Sequence, residues 1–300
     1  MLMEGKEMNV REYLDEHSVV EIKVGKSGAD VYEIDGRYVL KHVARQKLKD
    51  GQFDTYVREA LFYRDETACR RAYLPKVLKA EVSENEIFIF MKKYGCPSRN
   101  TVDRELLQKI TRALAALHTG ETPSFLRRDR EKAKPLSGQR IAECLDGWKR
   151  VLAEHPGVFD EERLKEIADG INGLIEWHDS EECVPVHGDF HWDNLLEDEK
   201  GNILICDWQG IGLGGASGDL SFFLSRLNGD GIRIDSAAFL DSYVNAVREL
   251  SGKRIRQEDI VRHMNAANVI TSFVFWHEYL HGGSERRVRE IYGGMTESFS

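Results

Sequence analysis

The sequence predicts an α+β protein of two lobes, a small antiparallel β-rich lobe followed by a larger, mostly helical one. Three observations predict it. Apolar and polar residues alternate with a period of two from Val19 to Val43, the period lengthens to about 3.6 beyond residue 101, and one short hairpin pattern at Asn194 to Asp207 interrupts the helical part. A chain of 300 residues, 41% hydrophobic and 31% charged, has the length and composition to bury one large core or two modest ones.

The elements follow in order. Val19 to Val24 reads as a strand, Gly25-Lys26-Ser27-Gly28 as a glycine-rich turn, and Ala29 to Ile34 as a second strand. Asp35-Gly36 is a tight turn leading into a third strand, Arg37 to Val43, because a type I′ hairpin needs two residues that accept positive φ. A helix is expected around Phe53 to Ala68, with Phe53, Val57 and Leu61 at four-residue steps, and Glu86 to Met91 reads as a further strand. Lys92 to Asn100 is a connector. Thr101 to His118 carries Leu107, Ile110, Leu114 and Leu117 on one helical face, begins at a capping Thr101 near Asp103 and stops at Gly120. Ile141, Leu145, Trp148 and Leu152 mark the next helix, Leu164, Ile167, Ile171 and Ile175 another, and several more follow Asp219. The Arg127 to Lys134 charge run reads as a solvated loop. The expected division is an N-terminal lobe over 1–90, a hinge over 91–97 and a C-terminal lobe over 98–300.

Forty-two basic against 51 acidic residues give a net charge of −9, and no Lys/Arg block offers a footprint for nucleic acid or anionic lipid. No apolar stretch approaches the roughly 20 residues that span a bilayer, and the first residues lack the apolar core of a signal peptide, so the reading is a cytoplasmic protein without membrane or nucleic-acid partners. Five widely separated cysteines with no Cys-x-x-Cys pair are expected as reduced thiols. Nothing resembles a coiled-coil seam, and a monomer is expected.

The densest chemistry lies in Val186-His187-Gly188-Asp189-Phe190-His191-Trp192-Asp193-Asn194, followed across the hairpin by Ile205-Cys206-Asp207-Trp208-Gln209-Gly210. Asp189 and Asn194 are five apart, and a turn at Asp198 to Asn202 brings Asp207 back to them. A carboxylate, an amide oxygen and a second carboxylate at one cleft edge suit Mg²⁺, which takes hard oxygen ligands. Asp189 is then left to accept a proton from an attacking hydroxyl. The plainer alternative is that Asp189, Asn194 and Asp207 are turn residues on the surface.

This pattern resembles the catalytic loop and metal-binding Asp of the protein-kinase fold, and more closely the aminoglycoside phosphotransferase and choline kinase superfamily, where His-Gly-Asp and Asp-Trp stand in these places. Gly214-Gly215-Ala216-Ser217-Gly218-Asp219-Leu220 is similar to that family's glycine-rich turn and helix start. The resemblance implies a two-lobed protein-kinase-like fold, ATP or GTP with Mg²⁺ as cofactors, and transfer of a phosphoryl group to a hydroxyl of a small molecule. It implies Asp189 as the catalytic base, Asn194 and Asp207 as metal ligands, and Ser27 and Gly28 as a cover for the phosphates. It further implies Lys41 reaching the phosphates, Glu59 orienting Lys41, and Met91 at the start of the hinge that reads the base. Taken alone, Lys41 and Glu59 would be an exposed-strand lysine and a solvated helix glutamate. Leu114-Ala115-Ala116-Leu117-His118 resembles a helix ending of the same superfamily and reads chiefly as core packing.

Three look-alikes compete. Gly25-Lys26-Ser27 imitates the end of a phosphate-binding P-loop, but position 20 is Val20 rather than Gly and a strand, not a helix, follows. His277-Glu278-Tyr279-Leu280-His281 matches a zinc-helix pattern, but Ser284 replaces the Gly of the extended motif and Gly282-Gly283 ends the helix. His187, Asp189 and His191 have strand-like spacing for a metal, but no second cluster completes a metallohydrolase site, and His187 reads better as a support for the loop.

The acceptor is read from charge. The acidic balance and residues such as Glu278 and Glu285 favour a cationic molecule, with an aminoglycoside ahead of choline because Gln209 stands where many relatives of the choline kinases carry Glu. Homoserine, a sugar or another metabolite is the alternative acceptor, and a catalytically silent binding protein the alternative class. Trp276, Glu278 and Tyr279 lie where the resemblance places acceptor contacts, and packing is the competing role for Trp276 and Tyr279.

Overall fold

The computed structural model describes residues 16–22, 28–65, 71–100, 102–126 and 134–299. Strands β1 (Val19–Glu21), β2 (Asp30–Ile34), β3 (Tyr38–Ala44), β4 (Val77–Val82) and β5 (Glu86–Lys92) form one antiparallel sheet in the order β1-β2-β3-β5-β4. Asp35 and Gly36 both take positive φ, at 53° and 67°, as the type I′ hairpin requires. β4 was not anticipated, and β5 runs one residue past Met91, taking in the first residue of the expected connector.

Strand alternation then sorts the side chains. Leu40, with Ile34, Phe88 and Phe90, packs on one face of the sheet. Val43, Ile87, Ile89 and Met91 belong to the opposite face, which helix α1 (Gln52–Arg64) covers. Lys41 shares the parity of Val43 and sits between Val31 and Ile89 in register, so its stem leaves the sheet on the α1 side. The buried face of α1 is Phe53, Tyr56, Glu59, Ala60, Phe62 and Tyr63, whereas Leu61 is exposed. The expected Phe53-Val57-Leu61 stripe is therefore rotated from the true one, because the aromatic residues take the core side.

The helical part begins with α2 (Arg104–His118), α3 (Gly138–Ala153) and α4 (Glu162–Asp179). Asp103, not Thr101, caps α2 by accepting from the Leu106 N–H at 2.8 Å; Thr101 lies outside the described residues, as do Ser27, Cys69 and residues 127–133 of the charged run. Next come β6 (Cys183–Val186), the hairpin β7 (Leu195–Glu197) with β8 (Ile203–Ile205), and β9 (Gly212–Gly215), which pairs antiparallel with β6. Gly212–Gly215 is thus a strand, a correction to the glycine-rich turn expected over Gly214 and Gly215; its pairing partners on β6 are 26 or more residues away in sequence. Helices α5 (Ala216–Gly229), α6 (Ser236–Ser251) and α7 (Gln257–Thr271) follow. After a π turn at Ser272–Trp276 come α8 (His277–Leu280) and α9 (Glu285–Ser298). Among the described residues, no helix is long and apolar enough to cross a membrane.

One core joins the sheet to the helical part, combining Val43, Ile87 and Ile89 with Leu114, Phe190, Ile205 and Trp208. The Ile205 N–H donates to the Tyr73 carbonyl at 2.7 Å, the Glu197 N–H to the Gly95 carbonyl at 2.8 Å, and the Trp192 indole to the Pro97 carbonyl at 3.2 Å. A second core, among α3, α4, α7 and α9, centres on Trp148, whose indole donates to the Phe273 carbonyl at 3.1 Å. Trp148→Ala should lower unfolding stability by about 3–5 kcal/mol, read from the midpoint of a urea titration, since it empties the middle of that core and removes the indole hydrogen bond to the Phe273 carbonyl.

Candidate active site

Lys41 reaches from β3 across the lobe junction. Its ammonium donates to Glu59 Oε2 at 2.7 Å and to Asp207 Oδ1 at 2.8 Å, and it lies over the Tyr56 ring at 5.0 Å. The buried face of α1 brings Glu59 to 1% exposure, and the Trp208 main chain hydrogen-bonds to it. Burial alone would lower the Lys41 pKa, but the two carboxylates outweigh it and hold the ammonium above its ordinary value. Burial pushes Asp207 up, yet Lys41 and a hydrogen bond from the Gln209 amide, 2.5 Å from Oδ1, leave it below its ordinary value. Lys41 and Asp207 are therefore both charged at neutral pH.

Asp207 takes a left-handed conformation, φ 63° and ψ 62°, between β8 and the 3₁₀ turn Trp208–Gly210. Asp tolerates this region better than most residues, and such outliers persist where surrounding structure enforces them. Lys41 and Trp208 supply that enforcement: the Trp208 ring is fully buried against Phe62, Tyr73 and His187.

Asp189 and Asn194 stand on the segment between β6 and β7. The Asn194 side chain is buried, and its NH₂ donates to the Asp189 carbonyl at 2.8 Å. Only the nitrogen end can donate, so the amide orientation is settled and Oδ1 is the atom left to accept or ligate. The Asp189 carboxylate is half exposed, at 48%, and its neighbouring basic group is the His191 ring at 3.5 Å. One carboxylate faces solvent, while an amide oxygen and a second carboxylate stand on the two arms of the β7–β8 hairpin.

The support beneath this segment is a buried carboxylate that sequence reading did not assign. Asp219, in the first turn of α5, accepts the His187 N–H at 2.7 Å and the Gly188 N–H at 2.9 Å. His118, at the end of α2, bonds the same carboxylate through Nε2 at 3.2 Å and meets the Tyr243 hydroxyl through Nδ1 at 2.8 Å. The signal available was a charged residue inside an apolar helix start, Ser217-Gly218-Asp219-Leu220, and a histidine ending the apolar face of α2. His187 donates from Nε2 to the Cys206 carbonyl at 2.9 Å and accepts the Asp189 N–H at Nδ1, 3.2 Å away. Those bonds define a neutral Nε2–H tautomer, and burial holds the ring below its ordinary pKa. Gly188, at φ 78°, passes so close to the Gly210 carbonyl that a Cβ would collide with it.

Of the other expected residues, Gly28 takes φ 79° over the Leu48 side chain and Met91 is buried on β5 between Val39 and Val77. The structure brings Lys41, Glu59 and Asp207 together, and Asp189 with Asn194. Trp276, Glu278 and Tyr279 sit apart: Glu278 is 3.5 Å from Arg140, Trp276 packs on the second core under Arg287, and Tyr279 is exposed. The zinc-helix pattern does not assemble. α8 is one turn long, His277 faces inward, and His281 points outward to Glu154. Neither belongs to a group of candidate metal ligands among the described residues.

The model of the phosphotransferase enzyme family matches residues 19–255. The fold is similar to an ADP-bound aminoglycoside phosphotransferase, at 15% identity and TM-score 0.57 over 97% of this chain and 98% of that one. It is also similar to an ethanolamine kinase of Plasmodium vivax, at 11% identity and TM-score 0.58 over 98% and 84%. A third likeness is to a spectinomycin phosphotransferase solved with ADP and spectinomycin, at 13% identity and TM-score 0.53 over 97% and 94%. Among curated proteins, none matches the chain in sequence.

Two outcomes follow from the support geometry. Asp219→Asn should cost about 3 kcal/mol at neutral pH, because two buried N–H groups lose a charged acceptor. Burial alone raises the Asp219 pKa, but bonds from His118 and His187 leave it depressed in the folded state, so its contribution is present above the ordinary carboxylate pKa and is lost as pH falls through the folded one. Urea titrations at several pH values should show the gap between the two proteins narrowing in acid. In Gly188→Ala, the segment bearing Asp189 must move away from Gly210, and the amide exchange protection of residues 187–189 should fall.

Proposed function

Because the chain belongs to the phosphotransferase enzyme family, we propose that it transfers the γ-phosphoryl group of ATP to a hydroxyl of a small cationic acceptor, an aminoglycoside-type molecule in the first instance. The observation that carries this reading is the Lys41 ammonium held between Glu59 and Asp207 while the Asp189 carboxylate stands open to solvent. The first arrangement suits a polyphosphate and the second an incoming hydroxyl.

In this reading Lys41 draws on the phosphates and Glu59 aims it. Ser27 and Gly28 cover the phosphate tail, and the main chain at Met91 meets the base, of ATP or of GTP in its place. Asn194 Oδ1 and the Asp207 carboxylate would hold Mg²⁺. The donor set fits, since both are hard oxygens, the Asn194 NH₂ is committed to Asp189, and Lys41 and Gln209 share one Asp207 oxygen. When bound, Mg²⁺ supplies charge neutralisation to the phosphates.

Asp189 accepts the proton of the acceptor hydroxyl as its oxygen bonds to the γ-phosphorus. The bond from that phosphorus to the bridging oxygen breaks, and the nucleoside diphosphate leaves with the electron pair. His191, at 3.5 Å, orients the carboxylate. Support for a cationic acceptor comes from the net charge of −9 and from the named relatives, since ethanolamine and aminoglycosides both carry an amine beside a hydroxyl. Glu278, Tyr279 and Trp276 are the proposed contacts for the acceptor's far end on the sequence resemblance alone, since the family match ends at residue 255. Choline, homoserine and sugars are the competing acceptors.

The test is nucleotide turnover with Mg²⁺ against aminoglycosides, ethanolamine, choline, homoserine and sugars. Aminoglycoside-stimulated turnover supports the first reading; stimulation by a metabolite alone moves the assignment to metabolism; nucleotide binding without any turnover supports a silent binding protein. Asp189→Ala should lower kcat by about 10³-fold or more with nucleotide affinity within about threefold of the parent. Lys41→Ala should instead weaken nucleotide binding and turnover together.

A further inference from the structure

We propose that His178, Glu181 and His263 form a binding site for a borderline divalent transition metal, of which Zn²⁺ is the representative, in the helical lobe and on residues separate from Lys41 and Asp189. His178 lies in the last turn of α4, Glu181 just beyond it, and His263 on α7. One ligand atom from each residue falls within 4.8 Å of the other two, and this is the one such group among the described residues. Two imidazoles and a carboxylate are the donor set of three-ligand zinc sites, which leave a fourth position for water.

The second observation is the state of the rings. Nδ1 of His178 and Nδ1 of His263 are both buried without a hydrogen-bond partner, and His263 as a whole is 8% exposed. A buried ring nitrogen with no partner is costly, and a metal ion is a partner that satisfies it. Burial also holds the His178 ring below its ordinary pKa, which favours the neutral imidazole that a metal requires. The ring of His263 is stacked on Trp177 at 4.9 Å and 4°, so its plane is already set.

Glu181 has a second task that does not compete. Its oxygens accept the Ser217 N–H at 2.9 Å and the Ser217 hydroxyl at 2.5 Å, at the start of α5. A carboxylate has about four lone-pair positions, so two remain. Tetrahedral bonds of about 2.0–2.2 Å need ligand atoms roughly 3.3 Å apart, so the side chains would settle to that spacing on binding. The ion would tie the end of α4 to α7 and, through Glu181 and Ser217, to the first turn of α5, two residues before Asp219. Its role is that of a structural staple.

The experiment uses tag-free, chelator-dialysed full-length protein titrated with Zn²⁺ by calorimetry and with Co²⁺ by visible absorption, in excess Mg²⁺ so that oxygen-only sites are filled. The expected result is one Zn²⁺ per chain, Co²⁺ bands of four-coordinate intensity, and a Tm about 5 °C higher at a hundredfold excess over Kd. His178→Gln and His263→Gln should each weaken Zn²⁺ at least tenfold while Asp207→Asn leaves it unchanged. Circular dichroism checks that the variants fold; if His263→Gln does not, His178→Gln with Glu181→Gln decides. Absence of Co²⁺ bands, or Zn²⁺ affinity unchanged in the folded His variants, overturns the proposal.

Discussion

The ammonium of Lys41 is the point on which the two lobes meet. It lies between a carboxylate from α1 and a carboxylate 166 residues further along the chain, all three removed in large part from water. Strand parity puts Lys41 on the α1 side of the sheet, and the aromatic face of α1 carries Glu59 to meet it. Two acids face one ammonium in a partly dry junction, where burial pushes the Glu59 carboxyl above its ordinary pKa against the pull of Lys41. Such a cluster is poorly justified as a stabilising device, since desolvation offsets much of the attraction. It makes sense as a site where further positive charge is welcome beside Asp207 and where Lys41 can exchange one anionic partner for another.

A second constraint holds the other half of the site. Asp219 gathers the amides of His187 and Gly188, while His118 and Tyr243 hold Asp219 from behind. Gly188 and Gly210 then bring the two acid-bearing segments into backbone contact, where a side chain at either position would intrude. The result is a division of labour. Buried groups with several partners each fix the main chain, and Asp189 keeps an exposed carboxylate because its own backbone is held for it. This rigidity is what places a base or a ligand within a fraction of an ångström of its task.

Where the sequence carried a local signal, the fold was legible. The Asp35-Gly36 hairpin, the apolar faces of α2, α3 and α4, and the β7–β8 hairpin all rest on residues close together in the chain. Where the cause is distant, it was not. β9 is Gly-Leu-Gly-Gly, a poor strand former made a strand by β6, and β4 carries Lys79 and Glu81 that hide its alternation. The α1 face was misjudged because Leu61 looks apolar while Tyr56 and Tyr63 do not look like core until the sheet lies on them. Order along the chain singled out Asp189, Asn194 and Asp207, but not Asp219 as their support, since His118 and Asp219 lie 101 residues apart.

The same distinction bears on the acceptor. Four acidic side chains of the helical part are paired with two arginines: Asp193 and Asp230 with Arg99, and Glu278 and Glu143 with Arg140. These pairs are largely exposed, and exposed pairs contribute little to stability, so a cationic acceptor can displace the arginine at small cost. Charge recognition by exchange of partners needs no free cluster of carboxylates in the unliganded protein. Lys41, Glu59 and Asn194 are held largely by burial and can be read from the fold, whereas the charged pairs that would choose an acceptor in the proposed reaction are exposed, and their identity would follow from what they bind.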